Sequence, residues 1–305
     1  MTTETKTQEA EIQAIETAAT DTPVMDAETP EASSTEMKAV EITAAAPVAN
    51  NVIDVPGMPS GVKNVTVIFR PIWNVEKSYL CGYIIRPVIE EVEKKAQGVS
   101  VTAQNEANAL NDIGVLYKAA EALSELQQRA EKSIVLVEVN FETLNTFPFR
   151  NQYFSMLRRM PETVRSFIVL QIGNIPVHAP KLRLQSIQSD LRGLCRALSF
   201  AADIRGGNLD CVSRRNVHAC AISLDQLGKE DELAGLMGRF ANKATGMNCA
   251  PLVDGVETSD LLSAAVAAGF RYIAGRAVQA DQRSLGISRR HFSLEMVQGN
   301  ALVQA

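Results

Sequence analysis

From Val65 to Ile273 the chain repeats one pattern. Eight short runs of apolar and β-branched residues alternate with stretches of helical period. The candidate strands are Val65–Phe69, Tyr79–Ile85, Ile134–Val139, Phe167–Ile172, Leu198–Ile204, Ala219–Leu224, Cys249–Val253 and Phe270–Ile273. Several are continuous apolar runs, as strands covered on both faces require. Between them, Leu110, Ile113, Tyr117 and Ala120 recur at helical spacing, as do Leu184, Ile187, Leu191, Leu194 and Leu198, and Leu233, Leu236, Met237, Phe240 and Ala244. Thr258 or Ser259 can cap a helix running to Ala268, with Gly269 placed to end it. Eight strands alternating with helices predict an α/β barrel of the (β/α)8 kind. Only a short turn separates the first two runs, which leaves no room for a crossover helix. They are therefore expected to pair antiparallel, a departure from the regular barrel. A doubly wound open sheet is the alternative, but no glycine-rich phosphate loop follows any run, against a dinucleotide-binding version.

The 305 residues divide by composition. Residues 1–58 are rich in Ala, Thr, Glu and Pro, carry no helical period and are expected to be a disordered, solvating tail. The barrel is placed at residues 59–285 and a C-terminal extension at 286–305. The net charge of −5 hides an asymmetry: residues 1–55 hold eleven acids and two lysines, so the remainder is mildly basic at +4. That excess over 250 residues is too weak for nucleic-acid binding, and Trp73, the only tryptophan, with few other aromatics, gives no stacking platform for single strands. No apolar run spans a bilayer and the acidic N-terminus does not resemble a signal peptide, so a cytoplasmic protein is expected. Cys81, Cys195, Cys211, Cys220 and Cys249 are scattered, with no zinc spacing, and are read as small hydrophobes. No histidine has a triad partner, which leaves nucleophilic catalysis unsupported.

Several short blocks then add up. Pro251-Leu-Val-Asp-Gly-Val-Glu-Thr258 resembles the "AEGVET" signature of the EAL-domain family, and Gly269-Phe-Arg-Tyr-Ile-Ala-Gly275 follows where that family has "LG…D..QGY". Ala202-Asp-Ile-Arg-Gly-Gly207 is similar to "DDFGTG", Ser223-Leu-Asp225 to "KID", Val137-Glu-Val-Asn140 to "VNLS" and Leu170-Gln-Ile-Gly-Asn174 to "EITE". At the front, Phe69-Arg-Pro-Ile-Trp73 resembles "YQPI" and Gly82-Tyr-Ile-Ile-Arg-Pro87 resembles "EALLRP". All fall in the family's order between residues 65 and 276. The resemblance implies a modified TIM-like barrel with an antiparallel first strand, the same architecture that the strand pattern predicts.

It also implies an activity and, residue by residue, its loss. The family is described as hydrolysing cyclic di-GMP with two divalent cations, which need carboxylate ligands to sit about 3.5–4 Å apart. The leading glutamate of the family motif falls on Gly82 or Ile84, the "EITE" glutamate on Gln171, the first "DDFG" aspartate on Ala202, the "KID" lysine on Ser223 and the last glutamine on Ala274. Asn140, Asp203, Asp254 and Glu257 remain, and for the last three helix capping and loop hydrogen bonding compete with ligation. Arg86 stands where the family arginine meets a nucleotide phosphate, and Arg205 and Arg276 could add metal-free phosphate contacts through their planar forks. Neither a catalytic residue nor a metal or cofactor is therefore expected. The function read from the sequence is that of a bacterial pseudoenzyme of cyclic di-GMP signalling, a scaffold or regulatory module that binds a protein partner. The alternative is a metal-independent cyclic di-GMP receptor, and a different chemistry in the same barrel is the third reading. The altered loop at Asp203 leaves a homodimer open.

Overall fold

The computed structural model describes residues 65–88, 100–211, 217–225, 232–288 and 291. The acidic segment lies outside them, as does most of the C-terminal extension. Eight strands close into a barrel in the order β1 to β8. These are β1 (Val67–Asn74), β2 (Tyr79–Pro87), β3 (Val135–Asn140), β4 (Ile168–Gly173), β5 (Ala197–Ala201), β6 (Val217–Ser223), β7 (Ala250–Asp254) and β8 (Tyr272–Ala274). β2 to β8 run parallel, whereas β1 is antiparallel to both neighbours, β2 and β8. The turn into β2 carries Ser78 at a positive φ of 49°.

The eight runs foreseen in the sequence are these eight strands, with shifted ends. β1 continues past Phe69 through Arg70-Pro71 to Asn74. A proline is tolerated there because, on the β8 side, Phe69 pairs with Gln282 and the ladder to β8 begins only at Ile72. β5 is shorter than expected and stops at Ala201.

The helices that clothe the barrel are α1 (Val101–Gln128), α2 (Phe141–Asn145), α3 (Phe147–Arg159), α4 (Glu162–Arg165), α5 (Lys181–Leu191), α6 (Leu233–Gly246) and α7 (Ser259–Ala267). In α1 the buried face repeats as Ala109, Ile113, Leu116, Ala120 and Leu123, and Ser100 caps its start by accepting from the Ala103 amide. The period read from Leu184 to Leu198 overran its helix: α5 ends at Leu191, and Gly193, at φ 77°, turns the chain toward β5. The cap expected at the last helix is Thr258, whose hydroxyl accepts from Leu261, and Gly269 at φ 86° ends the segment. The three helices between β3 and β4, α2 to α4, had no sequence counterpart.

Two apolar clusters result. The larger lies between strands and helices and includes Trp73, Leu116, Leu157, Phe200 and Phe240, while a small one fills the barrel with Ile72, Ile84, Leu136, Ala221, Leu252 and Ala274. Among the described residues no helix is long and apolar enough to cross a membrane.

Candidate functional site at the barrel mouth

Strand alternation builds the mouth. Two residues beyond each apolar side chain inside the barrel, toward the C-terminal ends of the parallel strands, the same face turns polar. Ile84 is followed by Arg86, Leu136 by Glu138, Val169 by Gln171, Ala221 by Ser223 and Leu252 by Asp254. On antiparallel β1 the order inverts, so Arg70 precedes Ile72 and arrives at the same end.

The two arginines organise this end. Arg70, with a side chain 10% exposed, donates from Nε to Asp281 Oδ1 at 2.9 Å, from Nη2 to Asp281 Oδ2 at 3.1 Å and from Nη1 to Asp254 Oδ1 at 3.0 Å. Its Nη1 also lies 3.5 Å from Asp225 Oδ2. Arg86 donates to Asp225 and to the other oxygen of Asp254. Asp254 is buried and accepts in addition from the Gly255 amide at 2.7 Å. Burial pulls the pKa of Arg70 down, but Asp281 and Asp254 more than offset it, and the net shift is upward. For Arg86 burial is likewise outweighed, chiefly by Asp254.

Glu138 lines the mouth from β3, in register with Gln171 of β4. Its side chain remains open to water, yet its carboxylate lies over Gly173 so closely that a β-carbon there would collide with it. Gln171 Nε2 reaches it at 3.4 Å. Loss of hydration around its carboxylate raises the pKa of Glu138, Arg86 acts against that rise, and Asp254 adds to it.

The residues picked out from the sequence separate into four places. Arg86 and Asp254 meet at the mouth. Glu257 and Arg276 pair with each other on the exposed rim. Asn140 is engaged below the rim: its amide and side chain donate to Asp112 of α1 at 2.9 and 2.8 Å, and its Oδ1 accepts from Asn174. Asp203 shapes the loop after β5 by accepting from the Arg205 amide at 2.7 Å, with both residues exposed. Sequence reasoning missed Arg70, Glu138, Asp225 and Asp281. The first three lay inside quoted blocks, and period-two alternation from Ile72 and Leu136 would have turned Arg70 and Glu138 inward. Asp281 carries no such signal. His218 is at the opposite end of the barrel, 3.2 Å from the Tyr272 hydroxyl. Cys220 and Cys249 are buried and Cys81 and Cys195 half-buried. A groove of about 460 Å³ opens elsewhere, on the barrel flank beside Phe69, Lys118, Glu125 and Arg283.

No known sequence family matches the chain, and no curated protein does. Solved structures do. An EAL domain of FimX superimposes with a TM-score of 0.53 over 73% of this chain and 94% of its own, at 15% identity. The chain has the EAL-domain fold. The EAL domain of Mycobacterium smegmatis DcpA gives 0.51 at 14% identity, covering 72% of this chain and 93% of its own. Bacillus subtilis YkuI, a protein with an EAL domain solved with cyclic di-GMP and calcium, gives 0.56 at 14% identity over 80% and 62%.

The EAL fold raises the question of two divalent cations, and the mouth does not fit them. Both oxygens of Asp254 and one of Asp225 already bind guanidinium nitrogens. At Gly82 a β-carbon would strike the Ile134 carbonyl, so no ligand can project from that position. Gln171 is neutral, and Ala202 and Ala274 offer no oxygen from their side chains.

Proposed function

We propose that this EAL-fold domain is a non-hydrolysing regulatory module of the cytoplasm that acts by binding a protein partner. One observation supports the reading: Arg70 and Arg86 engage both oxygens of Asp254 and one of Asp225, carboxylates at the mouth that a two-metal phosphodiesterase would need free. The same cluster argues against the receptor alternative. Two guanidinium groups face the carboxylates of Asp225, Asp254, Asp281 and Glu138, so with all six ionised the mouth carries net negative charge toward a ligand with two phosphates.

The outer surface supplies contacts of another kind. Arg183 of α5 donates to Asn145 Oδ1 at 2.9 Å and to the Asn145 carbonyl at 2.7 Å, fastening α5 to the turn between α2 and α3. On these adjoining units Phe147, Val177 and Leu182 are exposed.

Calorimetric titration of the full chain with cyclic di-GMP, in magnesium and again in EDTA, alongside a hydrolysis assay, tests the reading. No heat and no turnover are expected. Turnover in magnesium would overturn it, and heat that survives EDTA but vanishes in R86A would replace it with the metal-free receptor.

A further inference from the structure

We infer that the neighbouring starts of α3 and α5 form a docking surface for an acidic, apolar-rich peptide segment of a partner protein. This rests on the reading of the domain as a protein-binding module and deepens it, because it gives the partner's chemistry.

Apolar exposure singles out this face. Six large apolar side chains are exposed among the described residues, and three of them lie here: Phe147, Val177 and Leu182, at 70, 60 and 81%. Pro148, Pro176 and Pro180 beside them are exposed as well. Covering such a patch is favourable in proportion to the apolar area it removes from water.

The face is also held ready. Arg183 donates from Nε to Asn145 Oδ1 at 2.9 Å and from Nη2 to the Asn145 and Leu144 carbonyls at 2.7 and 3.4 Å. These bonds fix the start of α5 against the turn that leads into Phe147. Asn174 adds a bond to Asn140 Oδ1 between the ends of β3 and β4. The three prolines restrict φ on both sides, so little backbone freedom is left to lose on docking.

Charge selects the partner. From Phe147 to Arg150 and from Pro176 to Arg183 the chain holds Arg150, His178, Lys181 and Arg183 but no acid. Arg150 is answered by Asp190 at 3.3 Å. Arg183 bonds only to the neutral oxygens just named, and Lys181 is exposed, so no carboxylate among the described residues pairs with either. An acidic segment complements that charge. A second copy does not, because a two-fold interface would set this acid-free patch against itself. An anionic bilayer is a poorer match, since it calls for a cluster of roughly four to eight basic residues. The next exposed side chains along the two helices, Asn151, Gln152 and Ser186, are neutral hydrogen-bonding groups instead.

The test selects phage-displayed random peptides on the immobilised full chain. Synthetic copies of the enriched peptides are then titrated against wild type, F147A/L182A and K181E by fluorescence anisotropy, each variant being checked for native circular dichroism. The enriched peptides are expected to combine aspartate or glutamate with leucine or an aromatic residue. F147A/L182A should bind them about tenfold or more weaker and K181E about threefold weaker, and added salt should weaken wild-type binding. An absence of enrichment, a basic consensus, or equal binding by a folded F147A/L182A overturns the inference. Should that variant not fold, L182A alone is compared, and a folded L182A without any loss overturns it equally. Two further arms guard against other occupants: cosedimentation with phosphatidylglycerol–phosphatidylcholine vesicles, and dimerisation in sedimentation velocity. Neither is expected, and either one, if F147A/L182A removes it, overturns the inference in favour of a membrane or a second copy. Failure of the underlying reading appears in a separate assay, as cyclic di-GMP turnover by the wild-type chain.

Discussion

Asp112 on α1 and Asn140 at the end of β3 are joined twice: the carboxylate accepts the Asn140 amide at 2.9 Å and its side-chain nitrogen at 2.8 Å. Thr143 donates to the same carboxylate at 2.6 Å. This buried acid ties the long first helix to the barrel rim and to the start of α2. Replacing it by alanine leaves three donors behind in a buried place. Asp112→Ala is therefore expected to cost about 2–4 kcal/mol in urea unfolding.

The same carboxyl makes a pH prediction. Burial pushes its pKa up to about 6, against the hydrogen bonds from Thr143 and Asn140 that hold it down. The folded value thus lies above the unfolded one, so the folded state takes up a proton that the unfolded state does not. The cost of burying the charge is present at neutral pH and is relieved as pH falls through 6 toward the ordinary range. Wild type should gain stability relative to D112N over that window, measured as the difference between their unfolding free energies at each pH. A difference that stays flat, or falls with acid, would contradict the assignment.

Gly275 ends β8 at φ 145°, a conformation that side chains avoid, and a β-carbon there would run into the backbone of Val256. Gly275→Ala is expected to lose more than about 3 kcal/mol. Fluorescence of Trp73, which is only 1% exposed, provides the readout, because its emission shifts to the red on unfolding.

Ser288 lies in the segment that composition assigns to a C-terminal extension, yet its hydroxyl meets Ser133 Oγ at 2.9 Å and accepts from the Ile134 amide at 3.2 Å. Ser288→Ala should cost about 1 kcal/mol by leaving these partners unmatched at the base of β3. Thermal unfolding detects a loss of that size.

Much of the fold could be read before any coordinates. Apolar runs gave the strands within a few residues, and the missing crossover between the first two gave the antiparallel hairpin, because both are local properties of the chain. What escaped was local in a weaker sense or not local at all. Between β3 and β4, α2 and α4 are five and four residues long, too brief to show a period. The 13-residue α3, by contrast, places Tyr153, Phe154, Met156 and Leu157 on one buried face, a signal that was there to read. At the mouth, Arg86 and Asp254 were legible from their blocks, but Arg70 was passed over although it stands one residue before Pro71 in a quoted block. Asp281 could not have been found, since its meeting with Arg70 joins residues 211 positions apart. Asn140 illustrates the opposite case: its type suited a site, and its neighbours in space gave it to Asp112 instead.

The reversed first strand has a consequence for how the protein is made. One flank of β1 pairs at once with β2, but the other waits for Ala274 and Gln282, whose backbone exchanges two bonds with Phe69 at 2.8 and 2.9 Å. The ring cannot be sealed until those residues have left the ribosome. Throughout synthesis the nascent barrel is an open sheet with one bare edge at its oldest strand, and it is there that a chaperone or a neighbouring nascent chain would find backbone to pair with.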